Sequence, residues 1–374
     1  MSHEFQGTAS ESLMGLNEEA TYGDGGTLTE WIPFRSFNWD LITNERVRAG
    51  ALGQVQPMWS GRGEPRSSFS FTVPLWAEGL EPIYKYAWGK HQSTNLQDTT
   101  QGVYEHLYKI ETRYYPEYSG SGADPSAASL NIGVYHGSLK NVAGRYTALR
   151  GCVITRSTIR VQRNDAFMQC DGFFHDACTT LTAPAPTVST KRLFNPTRTN
   201  WSLTDATEGT PDANVHWDPV SIEFTVERGM DHAYAMGHSA LQSFRRPEAP
   251  HRTGEIAIRM SVDLVSEDND FSATTGGNTF ETIHNEGLPI HQYFQLFGKQ
   301  INDATDGAGD PKPYSLQVQT DYNYLTRYNS APIDGYGRIM HHLEMEADTP
   351  PSGFTLANLL YGEVLNEVSS FGVR

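Results

Sequence analysis

Apolar and polar residues alternate along much of this chain. Successive side chains of a β-strand point to opposite faces, so each alternating run predicts a strand with one buried face. The 34 glycines and 20 prolines separate these runs and supply the turns that an antiparallel sheet needs. The sequence therefore predicts a mainly β protein. The clearest runs cover residues 37–41, 69–73, 130–134, 222–226 and 256–264.

Three segments carry helical signals instead. Residues 80–88 and 288–297 are rich in aromatic side chains, and each is followed by a glycine, which commonly ends a helix. These two segments predict one short helix in each half of the chain. Residues 355–368 place leucine and valine at helical spacing, which predicts a third helix near the C-terminus.

Similar segments recur about 186 residues apart. Trp31-Ile32-Pro33 is matched by Trp217-Asp218-Pro219, and residues 129–132 are matched by 315–318. The entry to the 80–88 helix, Gly79-Leu80-Glu81-Pro82-Ile83, resembles Gly287-Leu288-Pro289-Ile290, with a polar insert at 267–286 shifting the offset to 208. Because the matches keep their order, we interpret the chain as two copies of one unit.

The repeat predicts two tandem β-sandwich or barrel domains, each with one short α-helix and a long loop between strands. We assign residues 1–24 to an N-terminal arm, 25–180 to the first domain and 181–214 to a linker. The second domain covers 215–350, and 351–374 form a C-terminal segment.

The long loops, at 43–66 and 228–254, are candidates for contacts with other subunits. Loops of this length in a compact domain are usually functional, and aromatic residues, Met and Arg are enriched at protein interfaces. A hairpin folded back onto its own domain is the alternative. The candidate contact residues are Glu45, Arg46, Arg48, Met58, Trp59, Arg62, Glu64, Phe244, Arg245 and Arg246.

The net charge of the chain bears on whether it can bind nucleic acid. The chain has 44 acidic and 28 basic residues, a net charge of −16, which argues against a basic DNA-binding groove. Arg156 and Arg160 share one face of an Arg-rich predicted strand. In so acidic a chain, we expect them to form ion pairs with carboxylates of a neighbouring subunit rather than with phosphate.

The chain carries no recognised catalytic motif, and we predict neither enzymatic activity nor a cofactor or metal site. Cys170, His175 and Cys178 lack a second ligand pair, and the third cysteine, Cys152, makes a disulfide framework implausible. His341-His342-x-Glu344 is interpreted as a polar strand face. The acidic segments at 267–270 and 303–310 depart from the spacing of calcium loops.

The segment Gly15-Leu16-Asn17-Glu18-Glu19-Ala20-Thr21-Tyr22-Gly23, followed by Trp31-Ile32-Pro33, resembles the start of tail tube proteins of long-tailed bacterial and archaeal viruses. The succession of strand, long loop, strand and helix after it strengthens the resemblance, which covers about 330 residues. Some members of that family carry two such domains, and the repeat in this chain is similar.

The resemblance implies a structural protein of the virion tail, made in the host cytoplasm. Its sheets would join those of neighbouring chains into a ring, and rings would stack through the long loop. Two domains per chain favour a trimeric ring with pseudo-sixfold symmetry, with a hexamer as the alternative. Other tail proteins would bind the tube ends, and double-stranded DNA would pass through an acidic channel without specific binding.

Two other functions remain open from the sequence. One is a receptor- or carbohydrate-binding β-sandwich protein of a virion surface, and the other is a β-rich hydrolase. No run approaches the ~20 apolar residues of a membrane-spanning helix, and the polar start resembles no secretory signal, so we expect no membrane anchor.

Overall fold

The chain is described here by a computed structural model. The structure describes residues 12–19, 22–23, 25–28, 30–42, 46–49, 59–62, 66–95, 103–110, 129–136, 145–180, 192–205, 219–233, 249–266, 279–305, 311–332, 339–349 and 359–367. Strands dominate this part of the chain, and two short helices accompany them. The protein is therefore mainly β, as the alternating pattern predicts.

The strands of the first half are β1 (Leu13–Glu18), β2 (Glu30–Ile32), β3 (Ser36–Ile42), β4 (Arg46–Ala49), β5 (Trp59–Arg62), β6 (Arg66–Pro74), β7 (Lys90–Asn95), β8 (Tyr104–Ile110), β9 (Leu130–His136), β10 (Arg145–Gln162), β11 (Asp165–Phe173) and β12 (Asp176–Thr180). Helix α1 (Glu81–Trp88) lies between β6 and β7.

The remaining strands are β13 (Asn195–Asp205), β14 (Pro219–Ala233), β15 (Ala249–Ser266), β16 (Ile290–Thr305), β17 (Pro311–Pro332), β18 (Ile339–Ala347) and β19 (Leu360–Asn366). Helix α2 (Phe280–Glu286) lies between β15 and β16.

One sheet runs through both halves of the chain. Eight strands are paired antiparallel in the order β3–β6–β11–β10–β14–β15–β18–β17. The first four come from the first half and the last four from the second half. The two groups have the same topology. Across the sheet, the first group runs β3–β6–β11–β10 and the second runs β14–β15–β18–β17, so in both groups the last two strands are in the reverse of their order along the chain.

A second layer covers one face of this sheet. In the first half, the strand order is β12–β10–β9–β1–β2, and in the second half it is β13–β16–β17–β19–β8–β7. The long strands β10 and β17 belong to both layers. Each shifts register where it enters the eight-stranded sheet, between Ile154 and Arg156 in β10 and between Leu325 and Arg327 in β17.

The core lies between the two layers and contains helix α1. Tyr84 and Trp88 of α1 stack with ring centroids 4.6 Å apart, and both side chains are fully buried. Alternate residues of the eight-stranded sheet point to this core, among them Phe71, Ile159 and Phe224. The alternation seen in the sequence is therefore the pattern of one buried and one polar face.

The helix predicted at 80–88 is confirmed, and it ends at Gly89, whose φ of 96° suits a residue without a side chain. The helix predicted at 288–297 is wrong, because residues 290–297 lie in strand β16. The second helix lies earlier, inside the segment interpreted as a polar insert, and ends at Gly287 with φ 62°. The short apolar and aromatic run fits a buried strand as well as a helix, and this ambiguity explains the error.

The helix predicted at 355–368 is also wrong over its described part. Residues 360–366 form β19, and their burial alternates strictly between buried and half-buried positions. The predicted linker, 181–214, contains β13, which pairs with β16. The offset of 186 residues aligns 129–132 with 315–318, that is, the start of β9 with β17. The strand pairing instead makes β9 equivalent to β16, since β9 precedes and pairs with β10 as β16 precedes and pairs with β17. Alternating strands resemble one another too closely for a fixed offset to distinguish them.

Candidate subunit interface

Strands β10 and β14 join the two halves of the eight-stranded sheet. Residues 156–162 of β10 pair with residues 221–227 of β14 in an unbroken antiparallel register. We call this pairing the inner seam. The inner seam joins the last strand of one four-strand group to the first strand of the next.

Ion pairs cross the inner seam on the polar face. The Nε atom of Arg156 lies 3.4 Å from Oε1 of Glu227, and Nε of Arg160 lies 3.0 Å from Oε2 of Glu223. Arg259 also contacts Glu227, at 3.3 Å. The sequence predicts ion pairs between Arg156 or Arg160 and a neighbouring subunit, whereas in the structure both arginines contact carboxylates of the same chain.

The opposite face of the inner seam is apolar and fully covered. Ile159 lies opposite Phe224, and Val161 lies opposite Ile222, all of them buried. Helix α1 covers this row, since the Trp88 ring lies 6.3 Å from that of Phe224 at 84°. The seam thus combines main-chain pairing, an apolar row and ion pairs.

The two ends of the eight-stranded sheet are β3 and the C-terminal part of β17. Strand β3 pairs with β6 along one edge, and no described strand pairs with its other edge. Residues 324–332 of β17 pair with β18 on one side, and within the described ranges no strand pairs with them on the other. Unpaired edges expose main-chain donors and acceptors that another strand can bind. We call these two strands the outer edges.

The apolar row of β3 is only partly covered. Phe37, Trp39 and Leu41 are half-buried and pack against the core. Their equivalents on β14, Ile222, Phe224 and Val226, are almost fully buried. The difference arises because β14 lies inside the sheet and β3 at its end.

The polar face of the eight-stranded sheet is acidic. Among its described positions we find five basic and nine acidic residues. The basic residues are Arg66, Arg156, Arg160, Arg259 and Arg327, and the acidic residues are Asp40, Asp165, Asp171, Glu223, Glu227, Glu255, Asp263, Glu344 and Glu346.

His342 lies on the same polar face between two carboxylates. Its Nδ1 lies 2.7 Å from Oδ1 of Asp263, and its Nε2 lies 3.1 Å from Oε1 of Glu344. The hydrogen bond with Asp263 raises the pKa of His342, while burial partly opposes the shift. The histidine also lowers the pKa of Glu344. Both ring nitrogens are occupied, in keeping with the interpretation as a polar strand face.

The two glutamates of the N-terminal motif anchor that segment to the fold. Glu18 accepts hydrogen bonds from Nζ of Lys85 on helix α1, at 2.9 Å. Glu19 is buried and accepts from the main-chain N–H groups of Gly23, Gly25 and Gly151, at distances of 2.9 to 3.0 Å. Burial raises the pKa of Glu19, while these hydrogen bonds and one from Ser129 oppose the shift. The sequence marks this motif only by resemblance and does not predict this role.

The predicted loop at 43–66 contains the hairpin of β4 and β5, which forms its own two-stranded sheet. Arg46 and Arg48 lie on β4, and Trp59 and Arg62 on β5, while the placement of their side chains lies outside the description. Glu45, Met58, Glu64, Phe244, Arg245 and Arg246 lie outside the described residues. The second predicted loop is shorter than expected, because β14 and β15 continue pairing as far as Ala233 and Ala249.

The candidate metal ligands are not grouped. Cys170 is buried in the core, and the His175 ring packs edge-on against Tyr22 with centroids 5.4 Å apart. Over the described ranges, no three His, Cys, Asp or Glu side chains form a cluster that could hold a metal ion. Residues 267–270 and 306–310 lie outside those ranges.

No protein-family model and no curated protein matches this chain. Neither α1 nor α2, the helices of the described part, has the length and apolar character needed to cross a bilayer.

Proposed function

We propose that this chain is a structural protein that assembles into rings and that the rings stack into the tail tube of a virus, a channel for double-stranded DNA. The observation that carries the proposal is the inner seam. It joins two four-strand groups of the same topology side by side into one sheet. The two groups are proposed to be the tandem tube domains of a two-domain tail tube protein, and the chain itself is proposed to belong to that family.

Repetition of the seam leads to a ring. The contact between the first and second groups is heterologous, since the last strand of one group binds the first strand of the next. Heterologous contacts continue until rotation closes them, and closure removes exposed strand edges. A three-chain ring would contain three times eight strands and have a diameter of ~50 Å at the Cα atoms, whereas six chains would give ~95 Å. We favour three chains, with pseudo-sixfold symmetry.

The acidic polar face suits the lining of such a channel. The second layer covers the apolar face, so the face with nine carboxylates and five arginines is the one free to line the ring. Lys and Arg contacts to phosphate hold DNA, with an affinity that increases with each contact. A lining with excess negative charge repels the duplex, which then slides instead of binding.

The β4–β5 hairpin is proposed to contact the next ring. It pairs with no described strand of the main sheet, and it carries Arg46, Arg48, Trp59 and Arg62. Other tail proteins would bind the ends of the tube.

Electron microscopy of the purified chain over a range of concentrations tests the proposal. We expect rings with a central channel, and tubes of stacked rings at high concentration. Deletion of residues 50–63 and Trp59→Ala should leave rings but stop stacking. Particles that remain compact monomers at every concentration would refute the proposal, and tubes that the loop deletion leaves unaffected would refute the role of the hairpin.

A further inference from the structure

We infer that the two outer edges bind each other between chains: residues 327–332 of β17 in one chain pair antiparallel with β3 of a second copy, in the register of the inner seam. This inference rests on the proposed self-assembly and specifies its contact. The occupant of the β3 edge is thus a second copy of this chain.

The first step is the equivalence of the strands. Strand β10 is the last strand of the first group and binds β14, the first strand of the second group. By the shared topology, β17 corresponds to β10 and β3 corresponds to β14. The register shifts after Ile154 and after Leu325 lie at the same point of these strands, so Arg327 corresponds to Arg156.

The second step is the register. In the first group, Asn38 pairs with Ser70, which pairs with Asp171 on its other side. In the second group, Glu223 pairs with Ser261, which pairs with Glu344 on its other side. Because Asp171 and Glu344 are equivalent residues, Asn38 corresponds to Glu223. The central rung of the inner seam pairs Thr158 with Thr225, whose Oγ1 atoms lie 3.1 Å apart. Carried to the outer edges, this rung pairs Asn329 of one chain with Asp40 of the next.

The third step is burial. In the inner seam, the apolar row of β14 is covered from the side of β10 and α1. A second copy in the inferred position covers the row of β3 in the same way, and it places Tyr328 opposite Leu41. Tyr328 and Leu41 are both half-buried hydrophobic residues at the margin of the core. Covering them removes apolar surface from water, which favours association.

The inferred seam also differs from the inner one in its chemistry. On β3, Ile42 stands at the position equivalent to Glu227 of β14, and Asn38 at the position equivalent to Glu223. The two Arg–Glu pairs of the inner seam therefore have no counterpart in the inferred seam. An amide faces a carboxylate at Asn329 and Asp40. This contact relies on main-chain pairing and apolar cover. It contains no Arg–Glu pair for salt to screen, so its strength should not fall as salt is raised.

Cysteine crosslinking tests the register. In a Cys178→Ser background, a chain with Asn329→Cys and Asp40→Cys is oxidised at concentrations at which it assembles. Directly opposed residues of antiparallel strands lie ~5 Å apart at Cα, within the range of a disulfide. We expect covalent oligomers that end at the closed ring, three chains in the favoured case. A mixture of the two single variants should stop at dimers.

Two matched variants serve as controls. Asn329→Cys with Ser36→Cys displaces the second cysteine by four residues on the same face, ~13 Å along the strand, and should not crosslink. Thr158→Cys with Thr225→Cys places a disulfide on the equivalent rung inside one chain and should form in every state of assembly. Hydrogen exchange of β3 should be fast in the dilute chain and at least tenfold slower in the ring.

The outcomes separate the inference from the proposed function. Rings without the Asn329–Asp40 crosslink would overturn the inferred seam and leave the tube proposal intact. Head-to-tail crosslinks in small oligomers that never stack would support the seam and refute the tube. Crosslinks between two Asn329→Cys chains would indicate a symmetric dimer and overturn the seam. Slow exchange of β3 in the monomer would show that another segment of the chain covers this edge, and would also overturn it.

Discussion

The two halves of the chain share one strand order but differ in how their helices are covered. Helix α1 is buried on nearly every side, and Arg228 of β14 donates a hydrogen bond to the carbonyl of Tyr86. Helix α2 buries only Phe280 and Ile283, and most of its other side chains are exposed. The difference follows from position, because α1 lies at the inner seam and α2 lies near an outer edge.

A second difference supports the same conclusion. After α1, the strands β7 and β8 cross to the second half, where β8 pairs with β19. After α2, the chain enters β16 directly. The inner seam is thus reinforced by an additional strand pairing, whereas the outer edges depend on β3 and β17. This asymmetry suits the proposed assembly, in which the halves of one chain stay together while the contacts between chains form and separate.

The largest expected effect comes from Phe224→Ala at the inner seam. The ring is buried against Trp88, and removing a buried Phe costs about 3 to 5 kcal/mol of unfolding free energy. Its equivalent, Trp39→Ala on β3, should cost the isolated chain less, because that side chain is half-buried, but should weaken assembly. Urea unfolding and light scattering of both variants measure the two effects. Equal losses of stability would contradict the distinction between seam and edge.

A smaller effect is expected at Glu19 of the first half. Glu19→Ala removes the acceptor of two buried N–H groups, those of Gly25 and Gly151, and of the half-buried N–H of Gly23. Water can enter the space left by the side chain and satisfy part of these donors, so we expect a total loss of about 1 to 3 kcal/mol of unfolding free energy. Glu19→Gln keeps one acceptor oxygen and should cost less.

The pH dependence of the Glu19 variants follows from the raised pKa. In the folded chain this carboxyl binds its proton more tightly than in the unfolded chain. This tighter proton binding stabilises the folded chain. The stabilisation is therefore complete below the ordinary pKa of 4.5 and decreases as the pH rises through the folded-state pKa. Since Gln does not titrate, the wild type should lose stability relative to Glu19→Gln across this range. Urea unfolding of both proteins at several pH values tests this, and a constant difference would contradict it.

His342 of the second half should give a pH dependence in a higher range. Its raised pKa means that its contribution to stability is complete below the ordinary value of 6.5 and is lost as the pH rises through the folded-state pKa. His342→Gln should remove this dependence. His341, whose pKa is lowered by burial, is the matched control, since its contribution is lost as the pH falls below 6.5. Thermal unfolding between about pH 5 and 8 distinguishes the two, and slopes of the same sign would contradict the assignment.

The sequence predicts the strands of this fold better than its helices or its candidate interface. Alternation identifies β6, β14 and β15, because alternate residues are buried over 69–73, 222–226 and 256–264. It fails for β16 and β19, where short apolar runs also suit a helix. The inner seam was not predictable, because the sequence shows that Arg156 and Arg160 share a face but not which strand lies beside them. That choice depends on pairing between residues 63 to 71 positions apart.

The smallest expected effect concerns the ion pairs of the inner seam. Arg160 and Glu223 are each about 40% exposed, and ion pairs this exposed contribute about 0.2 to 1 kcal/mol. Arg160→Ala and Glu223→Ala, alone and together, should give a coupling energy in that range that decreases with salt. Because the inferred outer seam has no equivalent pair, its association constant should not fall with salt as this coupling does. Chain association that weakens strongly between low and high salt would contradict this difference and assign the ion pairs to the outer contact instead.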